Sequence, residues 1–223
     1  LGDNGLVLAQ RLGAWCGHAP ELEIDLALAN IGLDLLGQAR NFLSYAAELA
    51  GSGDEDTLAY GRDERQYGNL LLVEQPNGNF ADTIARQFFI DAWHVALFTR
   101  LVNSRDAQIA AIAAKGLKEV RYHLRFSRGW LVRLGDGTET SAQKMQQAID
   151  NLWRFTAELF EADDVELALL GIMHHTTNAE AYSQLDRATM VDPVTVRLQH
   201  LDGTWVQVQV TLVANQWLRT PPS

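Results

Sequence analysis

One cysteine, Cys16, is all that the 223 residues contain, so no disulfide forms within the chain and a reducing compartment suits it. Beside Trp15, that lone thiol reads as a small buried hydrophobe. No apolar run approaches the roughly 20 residues that span a bilayer. No charged segment leading into a short apolar one opens the chain, and the cytoplasm is the expected location. Positive charge is also scarce. Against 28 acidic residues stand 18 basic ones, a formal net charge of −10. Such a chain repels nucleic acid and anionic lipid, which excludes the usual electrostatic footprint of a DNA binder. A glycine-rich phosphate loop, a G-x-S-x-G elbow and a C-x-x-C pair are all missing, and with them the commonest nucleotide, serine-hydrolase and redox motifs.

What is present is apolar and periodic. Hydrophobic residues make up 47% of the chain, enough for one large core. Leu8, Leu12 and Trp15 fall at helical spacing before Gly17-His18-Ala19-Pro20, where Pro20 suits the first turn of the next helix. Residues 21–50 hold no proline, and Leu28, Ile31, Leu35, Phe42 and Leu49 recur three to four apart until Gly51-Ser52-Gly53. Residues 54–79 read as a short helix and a loop, closed by Pro76-Asn77-Gly78. A second long helix is expected from Phe80 to Val102, with the stripe Ile84, Phe88, Asp91, Val95, Phe98 and Val102. A third runs from Asp106 to Leu134, through Ile109, Ile112, Val120, Leu124 and Leu131. Thr140 or Ser141 caps a fourth, through Met145, Ile149, Leu152, Phe155 and Leu159. Trp93, Trp130 and Trp153 lie on or near these stripes and read as core. Long helices with short breaks define a mainly α fold, a ferritin-like helical bundle.

After about Asp164 the texture changes, which divides the chain into a bundle over residues 1–164 and a separate segment over 165–223. Val194, Val196 and Leu198 alternate, Asp202-Gly203 follows, and Val206, Val208, Val210 and Leu212 alternate again. That is a hairpin signal, expected over 194–213. His174-His175 is a weak metal candidate, because adjacent side chains point apart.

Two stretches echo each other. Leu35-Leu36-Gly37-Gln38-Ala39-Arg40 matches Val120-Arg121-Tyr122-His123-Leu124-Arg125, with matched residues 85 apart, as 38 and 123 are. Two helix pairs related by duplication are the framework of di-iron bundles, where two helices each give a Glu and two each give a Glu-x-x-His. Spacing of i, i+3 puts both ligands on one face, carboxylates bridging the metals and imidazoles capping them. Here the two motifs read Leu35-x-x-Gln38 and Val120-x-x-His123. Leucine and valine offer no lone pair. Asp91-x-x-His94 keeps ligand-like spacing, yet one Asp and one or two His do not hold two irons. Asp91, His94 and His123 therefore read as a polar cluster in the bundle core, with neighbouring Arg or His pairing the carboxylate. Glu119 and the run Asp54-Glu55-Asp56 read as a solvated face and a loop. The expectation is a chain with no catalytic, cofactor-binding or metal-binding residues of its own.

Specific motifs point the same way. Gly2-Asp3-Asn4, Trp15-Cys16-Gly17-His18-Ala19-Pro20, Asp34-Leu35-Leu36-Gly37-Gln38-Ala39-Arg40, the run from Val73 to Thr83 and Arg121-Tyr122-His123-Leu124-Arg125 closely resemble the C-subunit family of bacterial ring 1,2-phenylacetyl-CoA epoxidases. The resemblance runs to about Ala168, and the tail departs from it apart from Val191-Asp192-Pro193. It implies a ferritin-like fold and a structural, non-catalytic role in aerobic phenylacetate breakdown. It implies a partner, the catalytic A-subunit, which holds the di-iron site, and further B- and E-subunits, the last supplying electrons. Two other readings compete: a di-iron oxygenase in its own right, and an unrelated helical scaffold. A glutamate at position 35 or 120 would favour the first of these. One long helix, that of residues 21–50 or of 80–102, is expected to offer an apolar stripe to the partner.

Overall fold

In a computed structural model, residues 1–159 are described in full, and beyond them only the backbone of residue 160 and of two strands. Among the described residues, seven helices follow in order: α1 Gly2–Gly13, α2 Leu22–Ala50, α3 Glu55–Tyr60, α4 Leu71–Glu74, α5 Phe80–Leu101, α6 Ala107–Gly135 and α7 Glu139–Trp153. Single 3-10 turns lie at Glu64–Gln66 and Ala157–Phe160. The fold is a helical bundle, mainly α as expected. Strands β1 Val194–Gln199 and β2 Trp205–Val210 pair antiparallel, Val194 opposite Val210. The turn of the expected hairpin, residues 211–213, the boundary at 164/165 and His174-His175 lie outside the described residues.

Local chemistry sets the helix ends. Asn79 accepts from the amides of Ala81 and Asp82, while Asp82 accepts from the Asn79 amide, a reciprocal cap that starts α5. Asp106 caps α6 through the Gln108 and Ile109 amides. Thr138, not Thr140 or Ser141, caps α7 by accepting from the Ser141 amide. The cap therefore directly follows Gly137, and the helix starts two or three residues earlier than expected. Pro20 sits just ahead of α2, whose cap position is Glu21, and so outside its first turn. Gly51 ends α2 in the left-handed conformation, φ 66°.

The core lies between α2, α5, α6 and α7. Leu28, Ile31, Leu35, Ile84, Phe88, Ile90, Leu131 and Met145 are almost wholly buried there. α5 is the central element. Residues 83–94 are buried without interruption, so no side of it is free over that span. α1 lies tight against α2 because Gly5 faces it: a Cβ there would sit 2.9 Å from the Leu35 carbonyl oxygen. Trp15 turns inward, its indole N–H donating to Thr83 Oγ1 at 2.9 Å and its ring edge-on to Phe80. Cys16, expected in the core, is exposed instead. It sits in the turn after α1, where Trp15 takes the inward position and the next side chain points out. Trp93 is buried, and Trp130 and Trp153 are half-buried against the same core.

Buried polar groups tie the connections to the bundle. Arg62 grips Asp3 with two guanidinium nitrogens, and the Gly68 amide donates to the same carboxylate. Burial pushes the Asp3 carboxyl up, but Arg62 and the Gly68 amide outweigh it and hold it below its ordinary range. Arg86, fully buried on α5, donates to the Gln75 carbonyl and to Asn77 and fixes the loop before its own helix. Burial lowers its pKa to about 10. Among the described residues, no helix is long and apolar enough to cross a membrane.

Candidate functional site

The place to look for chemistry is the bundle interior at the level of Asp91, where the duplicated stretches of α2 and α6 meet α5. Leu35 and Val120, the two positions at which the sequence repeat would look for bridging glutamates, are both fully buried. Gln38, His94 and His123 are buried as well. The expected cluster thus exists as a location, although its partners differ from those foreseen.

Asp91 is fully buried on α5 and is held from both sides. Gln87 Nε2, one turn earlier, donates to Oδ1 at 2.6 Å, and Ser127 Oγ on α6 donates to Oδ2 at 2.7 Å. Both carboxylate oxygens are therefore engaged by neutral donors, not by the arginine or histidine expected. Burial pushes the Asp91 carboxyl up to about 6, against the opposing pull of His123, Ser127 and Gln87. His94 lies one turn further along α5, between the rings of Trp93 and Phe98. Burial, with His123 nearby, pushes its imidazole down to about 3, so the ring is neutral at any ordinary pH. His94 Nδ1, His123 Nδ1 and Gln87 Oε1 are buried without a hydrogen-bond partner. Polar atoms left in that state are uncommon in folded proteins.

His123 Nε2 lies 3.0 Å from Asp34 Oδ2 on α2. Gln38 Nε2 on α2 donates to Glu119 Oε2 on α6 at 2.8 Å. The two contacts are reciprocal. Positions 34 and 38 match 119 and 123 in the repeat, and each carboxylate engages the nitrogen-bearing side chain of the other copy. The duplicated stretches thus pair with each other about a local two-fold. Glu119 is half-buried in this pairing, which corrects its reading as a solvated face. The carboxylates stand one residue before the ligand positions, at 34 and 119 instead of 35 and 120. One residue is about 100° of helix rotation. That turn swings them from the bundle axis into the seam between α2 and α6.

Asp34, Gln87 and Ser127 were not among the candidates from the sequence. Their signal was available: Gln87, Asp91 and His94 share one face of α5, and His123 and Ser127 are one turn apart on α6. Asp54 caps α3 through the Thr57 amide, and Glu55 pairs with Arg40 at 2.9 Å. Glu55 and Asp56 form the first turn of α3, so the run expected as a loop opens a helix, where acidic side chains suit the N-terminus.

The residues present do not fit a carboxylate-bridged pair of irons. The bridging positions are aliphatic, Asp91 has both oxygens committed, and the other two carboxylates face a different seam. Among the described residues, no three His, Cys, Asp or Glu side chains are grouped so as to hold a metal ion. What the site does is hold three helices in register through paired polar groups.

Fold and core together define a ferritin-like helical bundle with a buried cluster of paired polar side chains among its apolar residues. The chain belongs to the phenylacetic acid catabolic protein family, whose model matches residues 1–222. It is 73% identical over 201 residues to the C-subunit of the 1,2-phenylacetyl-CoA epoxidase of Escherichia coli (strain K12), covering 86% of this chain and 81% of that one. The family match extends past residue 168, where the motifs quoted from the sequence stop.

Proposed function

We propose that this chain is a structural, non-catalytic component of a phenylacetyl-CoA epoxidase, acting in the cytoplasm beside the di-iron catalytic A-subunit. The observation that carries the reading is the pair Leu35 and Val120. Both lie fully buried where the bundle would place bridging carboxylates, and neither side chain can bind or activate anything. The 73% identity to a protein named as the C-subunit of that epoxidase supports the same assignment.

A bundle of this kind contributes through its surface, and α2 has a surface that asks for a partner. Its inner side buries Ile24, Leu28, Ile31, Leu35 and Leu43. Its outer side carries Leu22, Leu26, Leu33 and Leu36, exposed by 69, 54, 65 and 41%. With Ala29 between them, these residues step by four and three, the seam spacing of packed helices. A helix apolar on two opposite sides is an interior helix of something larger. Of the two helices expected to offer a stripe, α5 is enclosed and α2 remains. The A-subunit is the proposed occupant of that outer face.

Co-expression with the A-subunit tests the assignment. The two chains should elute together in size exclusion, and the pair with its reductase should oxidise phenylacetyl-CoA while this chain alone does not. Turnover by the isolated chain, or separate elution of the two proteins, would contradict the proposal.

A further inference from the structure

The outer side of α6 concentrates positive charge, of which the chain as a whole has the lesser share. Lys115, Lys118, Arg121, Arg125, Arg128 and Arg133 all lie on this helix, and all six are exposed. They are a third of the chain's 18 basic residues. The one acid on α6 is Glu119, which is turned into the seam with α2 and engaged by Gln38. The helix is therefore formally +5 within a chain of net charge −10.

Spacing arranges these cations. Lys118, Arg121, Arg125 and Arg128 step by three, four and three, which places them on one stripe opposite the buried face of Gly116, Val120, His123 and Ser127. Lys115 and Arg133 extend the basic surface along the helix to roughly 27 Å, at about 1.5 Å per residue. Among the described residues, none of the six forms an ion pair. Two make ring contacts instead, Arg125 with the exposed Tyr122 and Arg133 with Trp130. Arg121 and Arg125 are like charges one turn apart, an arrangement that costs an isolated helix a few tenths of a kcal/mol. A solvated helix in an acidic protein has no need of such repulsion. Its sign reverses against a surface of opposite charge.

We infer that the α6 stripe is a second docking surface, separate from the apolar α2 face, and that its occupant is an acidic surface on another protein of the epoxidase. The inference rests on the proposed membership of that assembly. The stripe is too long for a single small anion. The net charge of the chain opposes both nucleic acid and a second copy of itself at long range. Complementary charge of this kind mainly speeds encounter and fixes orientation, and salt weakens it.

The test uses the full-length chain and each of the other epoxidase proteins, purified separately, with binding measured from low to high salt. Lys118→Glu, Arg121→Glu, Arg125→Glu and Arg128→Glu are combined in one variant, and the same four positions carry Gln in a second. One of those proteins should bind the wild-type chain with a strong salt dependence. The Glu variant should weaken that binding about tenfold or more and flatten the salt dependence, with the Gln variant intermediate. Binding of unchanged affinity and salt dependence in both variants overturns the stripe and leaves the α2 reading intact. Binding of no epoxidase protein at all overturns both. A fall in the thermal stability of the free chain in the Gln variant means that the acidic run Glu161, Asp163, Asp164 and Glu166 of the same polypeptide is the occupant, and overturns the inference. So does self-association of the wild-type chain that the Glu variant abolishes.

Discussion

Replacing Leu26 and Leu33 together by glutamate is expected to weaken the complex with the A-subunit by roughly a hundredfold or more, while the free chain stays folded. Both residues are more than half exposed in the isolated chain. Surface substitutions of that kind usually move stability by less than about 0.5 kcal/mol. In the complex the same positions would be covered. Burying one leucine side chain is worth about 1.5–3 kcal/mol, and forcing a carboxylate into an apolar seam costs more. Two such losses exceed about 3 kcal/mol, which is two decades in Kd. The control is Leu28→Glu on the inner side of the same helix. Leu28 is fully buried, so that variant should unfold the chain itself. Thermal melts separate the cases and size exclusion reads the complex. Normal co-elution of the Leu26→Glu/Leu33→Glu variant would remove α2 as the interface.

Asp91 and His94 should show opposite pH dependences that the wild-type chain conceals. Asp91 has a folded pKa raised from 3.8 to about 6. The folded state then holds its proton more tightly than the unfolded state does. Its contribution to stability is whole below about pH 3.8 and is lost as pH rises through 6. His94 has a folded pKa lowered from 6.5 to about 3. The unfolded state binds that proton more tightly, so its contribution is whole above 6.5 and is lost as pH falls toward 3. Between about pH 4 and 6 the slopes oppose, each at most about 1.4 kcal/mol per pH unit. His94→Gln removes one of them. Relative to wild type, its stability should fall by about 1–3 kcal/mol as pH rises across that window. Asp91→Asn should do the reverse, gaining stability relative to wild type as pH rises over the same range. Urea unfolding at several pH values reads both. Profiles parallel to wild type in both variants would mean that neither group is buried as described.

The helical periods of the sequence located the bundle well because burial is what creates them. The stripe of α5, from Ile84 through Asp91 to Phe98, lies in the core as its spacing predicts. Asp91 was legible because a carboxylate on an apolar stripe is conspicuous. Its donors were not, since Gln87 and Ser127 look like ordinary polar residues until the facing helix is known. Glu119 and Asp34 were obscured for the same reason. A charged side chain near a helix seam has the composition of a solvated one, and only the neighbouring helix tells them apart. Period also says nothing of which apolar residue is covered. Leu49 belongs to the α2 stripe by spacing but is 70% exposed in the last turn. Leu22, Leu26, Leu33 and Leu36 form a second stripe on the same helix, whose meaning became visible only when the first was seen to fill the core. Cys16 failed on local geometry: Trp15 took the inward direction and left its neighbour outside.

Iron content tests the central claim most directly. The chain should be purified after co-expression with the A-subunit in iron-replete medium, separated from it, and measured by elemental analysis beside the protein it left. With Leu35 and Val120 at the bridging positions, the account predicts far less than one iron per chain here and the metal retained by the A-subunit. Close to two irons per chain in this protein would contradict it.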